Sequence, residues 1–139
     1  MALSETDIAY IAGLTDGEGC ITINKVYIAS YGNYYKNIVS ITNTDIDVLK
    51  WVCEHFGGRV DSHSEFYRNK PCYRWSLNGS KSSKFLESML PYLRIKSKQA
   101  ELSLEFIKTI GKGAKKLTND IINQRKILKE KMYKLNHGE

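Results

Sequence analysis

Hydrophobic positions along the chain recur first with a helical period and then with a period of two, and the switch repeats. Ser4, with Asp7 three residues later, approximates a capping box. Ile8, Ile11, Ala12 and Leu14 then fall on one helical face until Gly17 and Gly19 end the element. Over 20–25 the period becomes two: Ile21 and Ile23 alternate with Thr22 and Asn24, which predicts a half-buried strand. A tyrosine-rich link containing Gly32 and Asn33 leads to a second strand over 36–42. Thr44 stands where it would cap a helix over 45–56, stopped by Gly57 and Gly58. A second hairpin follows, with strands over 60–67 and 72–78 around a turn at Arg68, Asn69, Lys70 and Pro71. In its second strand Tyr73, Trp75 and Leu77 point one way while Arg74 and Ser76 point the other. A helix beginning at Ser80 or Ser82 ends near Pro91, a longer one runs over about 97–110, and a last helix occupies 118–135 beyond the loop 111–116.

The predicted order is therefore α-β-β-α-β-β-α plus two C-terminal helices. Hairpin-joined strands with helices between them imply an α+β fold, an antiparallel sheet with helices on one face and the other face free. At 139 residues the chain is long enough to bury a core. No internal repeat is visible, so residues 1–139 are expected to form one domain, with a core over about 6–107 and C-terminal helices over about 97–135.

Composition narrows the picture. Hydrophobic residues make up 42% and aromatics 11%, which excludes a disordered chain. The formal net charge is +6 and it is unevenly placed. Residues 1–95 balance ten Lys/Arg against ten Asp/Glu, whereas 96–139 carry eleven against five, so the whole excess lies in the C-terminal part. A polyanion is the first partner such a charge suggests, although lysines on amphipathic helices are also ordinary solubility chemistry. Cys20, Cys53 and Cys72 form no CxxC pair and read as free thiols of a reducing compartment, neither a disulfide framework nor a zinc site. The opening residues lack a basic stretch followed by an apolar one, and no segment is long and apolar enough to span a bilayer. An intracellular, soluble protein without a membrane partner is expected, in the cytoplasm or an organelle.

Residues 11–19, Ile11-Ala12-Gly13-Leu14-Thr15-Asp16-Gly17-Glu18-Gly19, resemble the motif that names the LAGLIDADG family. The Ala-Gly pair, the Leu, the first acid, a second acid two residues later and the closing Gly are all kept. Ile11 stands for the first Leu, Gly17 for the usual Ala and Glu18 for the usual last Asp. ITNTDIDVLKWVCEHFGG, YRWSL and PYLRIKSKQAEL resemble further family segments in the family's order, so the likeness spans roughly 6–107 and leaves out the last helix. It implies the saddle-shaped antiparallel sheet of the homing endonucleases. It also implies hydrolysis of both strands of a long, nearly palindromic site in double-stranded DNA, with Mg2+ as cofactor and no small-molecule substrate. Mn2+ would substitute, and Ca2+ would support binding without cleavage. One motif per chain implies a homodimer, because the second motif must come from another copy.

The residues supply a physical reason for that chemistry. Hydrolysis of a phosphodiester wants a metal to neutralise the phosphate and acidify the attacking water, and magnesium prefers a few oxygen ligands plus phosphate and water. Glu18 is expected just past a helix C-terminus, where carbonyls and the negative dipole end attract cations, with the Gly17 carbonyl as a second ligand. Lys98 matches the family's basic residue beside the scissile phosphate, Lys96 is the nearby alternative, and Asn43 falls where the family places a water-ordering side chain. The implied dimer interface is Ile8, Ile11, Ala12, Thr15 and Asp16, with Ala12 and Gly13 small enough for close approach and Asp16 capping the partner helix.

Strand alternation predicts the side chains that meet DNA. With Ile21 and Ile23 inward, Thr22, Asn24 and Val26 face outward, joined by Lys36, Ile38 and Ser40 and, in the second hairpin, by Asp61, His63, Arg74 and Ser76. Hairpin tips add Tyr31, Asn33, Tyr34, Arg68 and Lys70. The major groove admits a two-stranded ribbon, where Arg74 suits a guanine and Asn24 an adenine edge, while Arg68 and Lys70 equally suit phosphates. Three rivals share these features: an RNA maturase, a cleavage-inactive DNA-binding protein and a dimerising scaffold. The pairing of Glu18 with Lys98 favours the nuclease.

Overall fold

A computed structural model describes residues 2–30, 32–67, 70–110 and 118–138, with the backbone alone at Asn33 and over 64–67. The first helix, α1 (Glu5–Glu18), opens on the expected capping box: Ser4 Oγ accepts the Asp7 N–H at 3.1 Å, and the Asp7 carboxylate accepts the Ser4 N–H at 3.2 Å. It runs through Gly17 and Glu18, so Gly17 does not end it. Gly19 alone is the cap, its N–H donating to the Thr15 carbonyl. A Cβ at Gly19 would lie 2.6 Å from the Thr15 oxygen and 3.1 Å from that of Ser40. Only glycine therefore lets the chain pass from α1 directly into β1 (Gly19–Ile28).

β1 pairs antiparallel with β2 (Gly32–Asn43) from Gly19↔Ile41 to Ile28↔Gly32, so the tyrosine-rich link belongs to a longer hairpin than predicted. The next helix, α2 (Ile46–Phe56), is capped by Asp45 and not by Thr44: the Asp45 carboxylate accepts the Val48 N–H at 3.2 Å. β3 (Arg59–Tyr67) and β4 (Lys70–Asn78) form the second hairpin, in which Lys70 and Pro71, expected in the turn, pair with Tyr67 and Phe66. α3 (Ser83–Met89) lies between two short 3₁₀ turns; α4 (Ser97–Lys108) and α5 (Asn119–His137) follow. The expected Arg68–Asn69 turn and the loop 111–116 lie outside the described residues.

The four strands are ordered β1-β2-β4-β3, all neighbours antiparallel. Ile21, Ile23, Val39, Ile41, Trp75 and Leu77 are buried beneath the helices, while Asn24 and Arg74 are exposed on the opposite face. The alternation read from the sequence is therefore the alternation of the sheet. Helices contribute Ile11, Leu49, Val52, Phe85, Leu86, Phe106 and Met132 to the same core. Trp75 anchors it, its ring 4.9 Å from that of Phe85 and its Nε1 donating to the Gly57 carbonyl at 2.8 Å. α5 docks through Leu128 and Met132, and its Asn136 donates to the Ile21 carbonyl of β1 at 3.0 Å.

Candidate metal centre and nucleic-acid interface

Glu18 is the last residue of α1 rather than one beyond it, and it is exposed. Its carboxylate forms no hydrogen bond or ion pair among the described residues. Asp16, one turn-edge away, is fully engaged. Its Oδ2 accepts the Arg94 N–H at 2.8 Å, and its Oδ1 accepts those of Ile95 at 3.2 Å and Lys96 at 3.0 Å. The Lys96 Nζ closes the clamp by donating to the Asp16 carbonyl at 2.7 Å. Asp16 does have a structural role, as expected, but it braces the approach to α4 in its own chain. That corrects the reading of Asp16 as a cap for a partner helix.

The same clamp engages Lys96, whose ammonium is held at the end of α1. Lys98, two residues on in the first turn of α4, is exposed and lines a groove between α4 and α5 with Glu101, Leu102, Glu105, Lys131 and Lys134. Asn43 ends β2 two residues beyond Ile41, the partner of Gly19, and so stands at the same end of the sheet as Glu18. Its Oδ1 accepts the Asp45 N–H at 2.8 Å.

Ile11, Ala12 and Thr15 are completely buried within this chain, Thr15 Oγ1 donating to the Ile11 carbonyl at 2.8 Å, and Ile8 is half-buried. Ile11, Ala12 and Thr15 face the core and cannot be the dimer surface inferred from sequence. The outward side of α1 is Ala9, Gly13 and Gly17, spaced one turn apart, with Tyr10 59% exposed beside them. A Cβ at Gly13 or Gly17 would meet nothing within 4 Å. Ala9, Gly13 and Asp16 line a shallow groove with Pro91, Tyr92 and Arg94. At its upper end Tyr92 Oη donates to Glu5 Oε1 at 2.7 Å, and this bond to a carboxylate, with desolvation and the Glu5 charge, raises the phenol above its ordinary pKa.

The predicted reading face is assembled by strand register. Thr22 pairs with Ile38, Asn24 with Lys36 and Val26 with Tyr34; Ser40 pairs with Ser76, and Asp61 with Arg74. Asn24, Asp61, Lys70 and Arg74 are exposed, and Thr22, Val26, Tyr34, Lys36, Ile38, Ser40, His63 and Ser76 are half-buried on that face. Tyr31, Arg68 and the Asn33 side chain lie outside the described residues. Register adds residues that sequence reading missed: Arg59 opposite Ser76, Thr42 opposite Arg74, Cys72 opposite His63 and Cys20 opposite Ser40. Extending the alternation one residue before Val60 would have found Arg59. Arg59 forms an ion pair with Asp61 at 3.1 Å, and Arg74 Nη2 lies 2.6 Å from His63 Nε2.

Among the described residues no three His, Cys, Asp or Glu side chains come together. What α1 offers is one unengaged carboxylate and a last-turn carbonyl at Gly17, both oxygen donors. Such a set fits a hard cation whose remaining ligands are water and phosphate oxygens. No helix among the described residues is long and apolar enough to cross a membrane.

Comparison with known proteins agrees with this fold. The sequence profile of the LAGLIDADG endonucleases matches residues 11–110. DNA endonuclease I-CvuI of Chlorella vulgaris is 32% identical over 111 residues, a match covering 73% of this chain and 64% of that protein's length. The structure of I-CvuI with an uncleaved target duplex and magnesium superposes with a TM-score of 0.79 at 26% identity, covering 97% of this chain and 85% of that one. The archaeal intron-encoded homing endonuclease I-Vdi141I, complexed with DNA, shares the fold with a TM-score of 0.78 at 21% identity, over 96% of this chain and 92% of that one.

Proposed function

The chain belongs to the LAGLIDADG endonuclease family, and on that footing we propose that it is a site-specific DNA endonuclease, active as a homodimer with Mg2+, that cuts both strands of a long, nearly palindromic site. The observation that carries this reading is the bare outward side of α1, Ala9, Gly13 and Gly17, running up to the unengaged carboxylate of Glu18. A second copy packing its own α1 there would cover that side and bring two Glu18 carboxylates to one end of the helix pair, one for each DNA strand. Glu18 and the Gly17 carbonyl would hold the metal, which supplies charge neutralisation at the phosphate and a more acidic water.

The remaining work falls to side chains of this chain. Lys98, with Lys96 on the Asp16 carbonyl as the alternative, sets a positive charge beside the reacting phosphate, and the Asn43 amide orients water at the same end of the sheet as Glu18. Arg74 and Asn24 read base edges, while Lys70 and Lys36 meet phosphates. Mn2+ substitutes for Mg2+, and Ca2+ supports binding without cutting.

Selection of cleaved duplexes from a randomised library, followed by plasmid cleavage with wild type and Glu18→Gln, tests the reading. A two-fold-related consensus is expected, with cutting lost and binding retained in Glu18→Gln. Equal cutting by both proteins rejects Glu18 as the metal ligand. A single copy of the chain sedimenting with the duplex rejects the homodimer.

A further inference from the structure

Arg74 and His63 stand on the outer face of neighbouring strands, one diagonal step apart: Arg74 is the register partner of Asp61 and His63 that of Cys72. Their side chains nevertheless meet, with Arg74 Nη2 2.6 Å from His63 Nε2. A guanidinium has donors and no acceptor, so Nε2 receives the bond. Asp61, the carboxylate directly across from Arg74, is bonded to Arg59. This division of partners matters chemically. A carboxylate on Arg74 would neutralise it and compete with any acceptor brought to it, whereas an imidazole holds one N–H and leaves the charge and the other donors presented outward.

We infer that His63 is a positioning residue for Arg74, holding its free donors toward one base-pair edge, a guanine edge. The inference rests on the nuclease reading above. Among the described side chains, Arg59 and Asp61 on β3 and Lys70 and Cys72 on β4 share this face with the pair, and β2 presents Thr42 across from Arg74. Without the imidazole, Arg74 becomes an unconstrained long side chain, and the cost of ordering it falls on DNA binding.

The probes are the duplex recovered by library selection, its single-base-pair variants and a scrambled duplex, bound in Ca2+. Arg74→Ala should flatten preference at one position of each half-site. His63→Ala should lose about three- to tenfold of the wild-type preference at that position, and His63→Gln, which keeps an acceptor, should restore it. Affinity for the scrambled duplex should stay the same in both His63 variants. A full preference in His63→Ala, or a loss in His63→Gln as large as in His63→Ala, overturns the inference. Recovery of no cleaved duplex would instead reject the nuclease reading and this inference with it.

Discussion

Replacing Asp16 by alanine should uncouple the two halves of the candidate metal centre, because its carboxylate is the bolt between the end of α1 and the start of α4. Three main-chain N–H groups lose their acceptor: those of Arg94 at 2.8 Å, Ile95 at 3.2 Å and Lys96 at 3.0 Å. A hydrogen bond to a charged acceptor contributes about 1.5–3 kcal/mol net, but the full amount does not apply three times over. Arg94 and Ile95 are exposed, so water takes over their N–H groups, and the bond from Ile95 is long; Lys96 is half-buried. We expect a loss of about 2–4 kcal/mol. Asp16→Asn should fall close to alanine, since its NH2 must face a donor wherever its oxygen is placed. Urea unfolding followed by circular dichroism measures this as a lower midpoint with an unchanged slope. Cleavage should fall further than stability alone explains, because the start of α4 is no longer held at the end of α1. A stability change below about 0.5 kcal/mol, the size of an ordinary surface substitution, would refute the clamp.

Other perturbations test other parts of the fold. Gly58 has φ 95°, and a Cβ there would lie 2.4 Å from the Ser76 carbonyl oxygen, so Gly58→Ala should cost about 3 kcal/mol or more; a melting temperature within a degree or so of wild type would contradict this. Arg125 donates to Thr109 Oγ1 at 2.9 Å and to the Thr109 carbonyl at 3.1 Å with its guanidinium 5.3 Å above Phe106, and burial lowers its pKa without discharging it. Arg125→Ala should lower hydrogen-exchange protection across α5 while the sheet amides keep theirs; uniform protection would show that Arg125 does not join the two helices. Tyr92 holds its proton more tightly than an ordinary phenol because it donates to Glu5. That contribution is complete below the unfolded value of about 10 and is lost as pH rises through the folded value. Glu5→Gln should move the Tyr92 titration, isolated as the difference from Tyr92→Phe, back toward lower pH; no movement would exclude Glu5 as the cause.

Strand alternation carried most of the fold because one face of the sheet is buried and the other is not. Ile21, Ile23, Trp75 and Leu77 declared the inward side, and the strand residues assigned to the reading face, the hairpin tips aside, followed from the same alternation. Element ends were less legible. Thr44 and Asp45 are both good caps, and only the bond from Val48 to Asp45 decides between them. Asn37 shows a different limit: it is a polar residue at an inward position, buried where its Nδ2 meets Ser82 Oγ at 2.9 Å and Ser103 Oγ at 3.3 Å. Its partners lie on elements more than forty residues away, and local pattern carries no information about them.

The error at the candidate site comes from helix phase, since a shift of two residues moves a side chain by more than half a turn. In α1 the difficulty is deeper. Periodicity assigns an inward side by finding a polar one opposite, and α1 has none over its middle: Ile8, Ile11, Ala12 and Thr15 line one side, and Ala9, Tyr10, Gly13 and Gly17 the other. A helix without a polar side is normally covered all round. The core of this chain covers only the first side. In the proposed homodimer the second side is left for another copy of α1, and the ambiguity that misdirected the interface assignment is what a helix with two packing faces would produce.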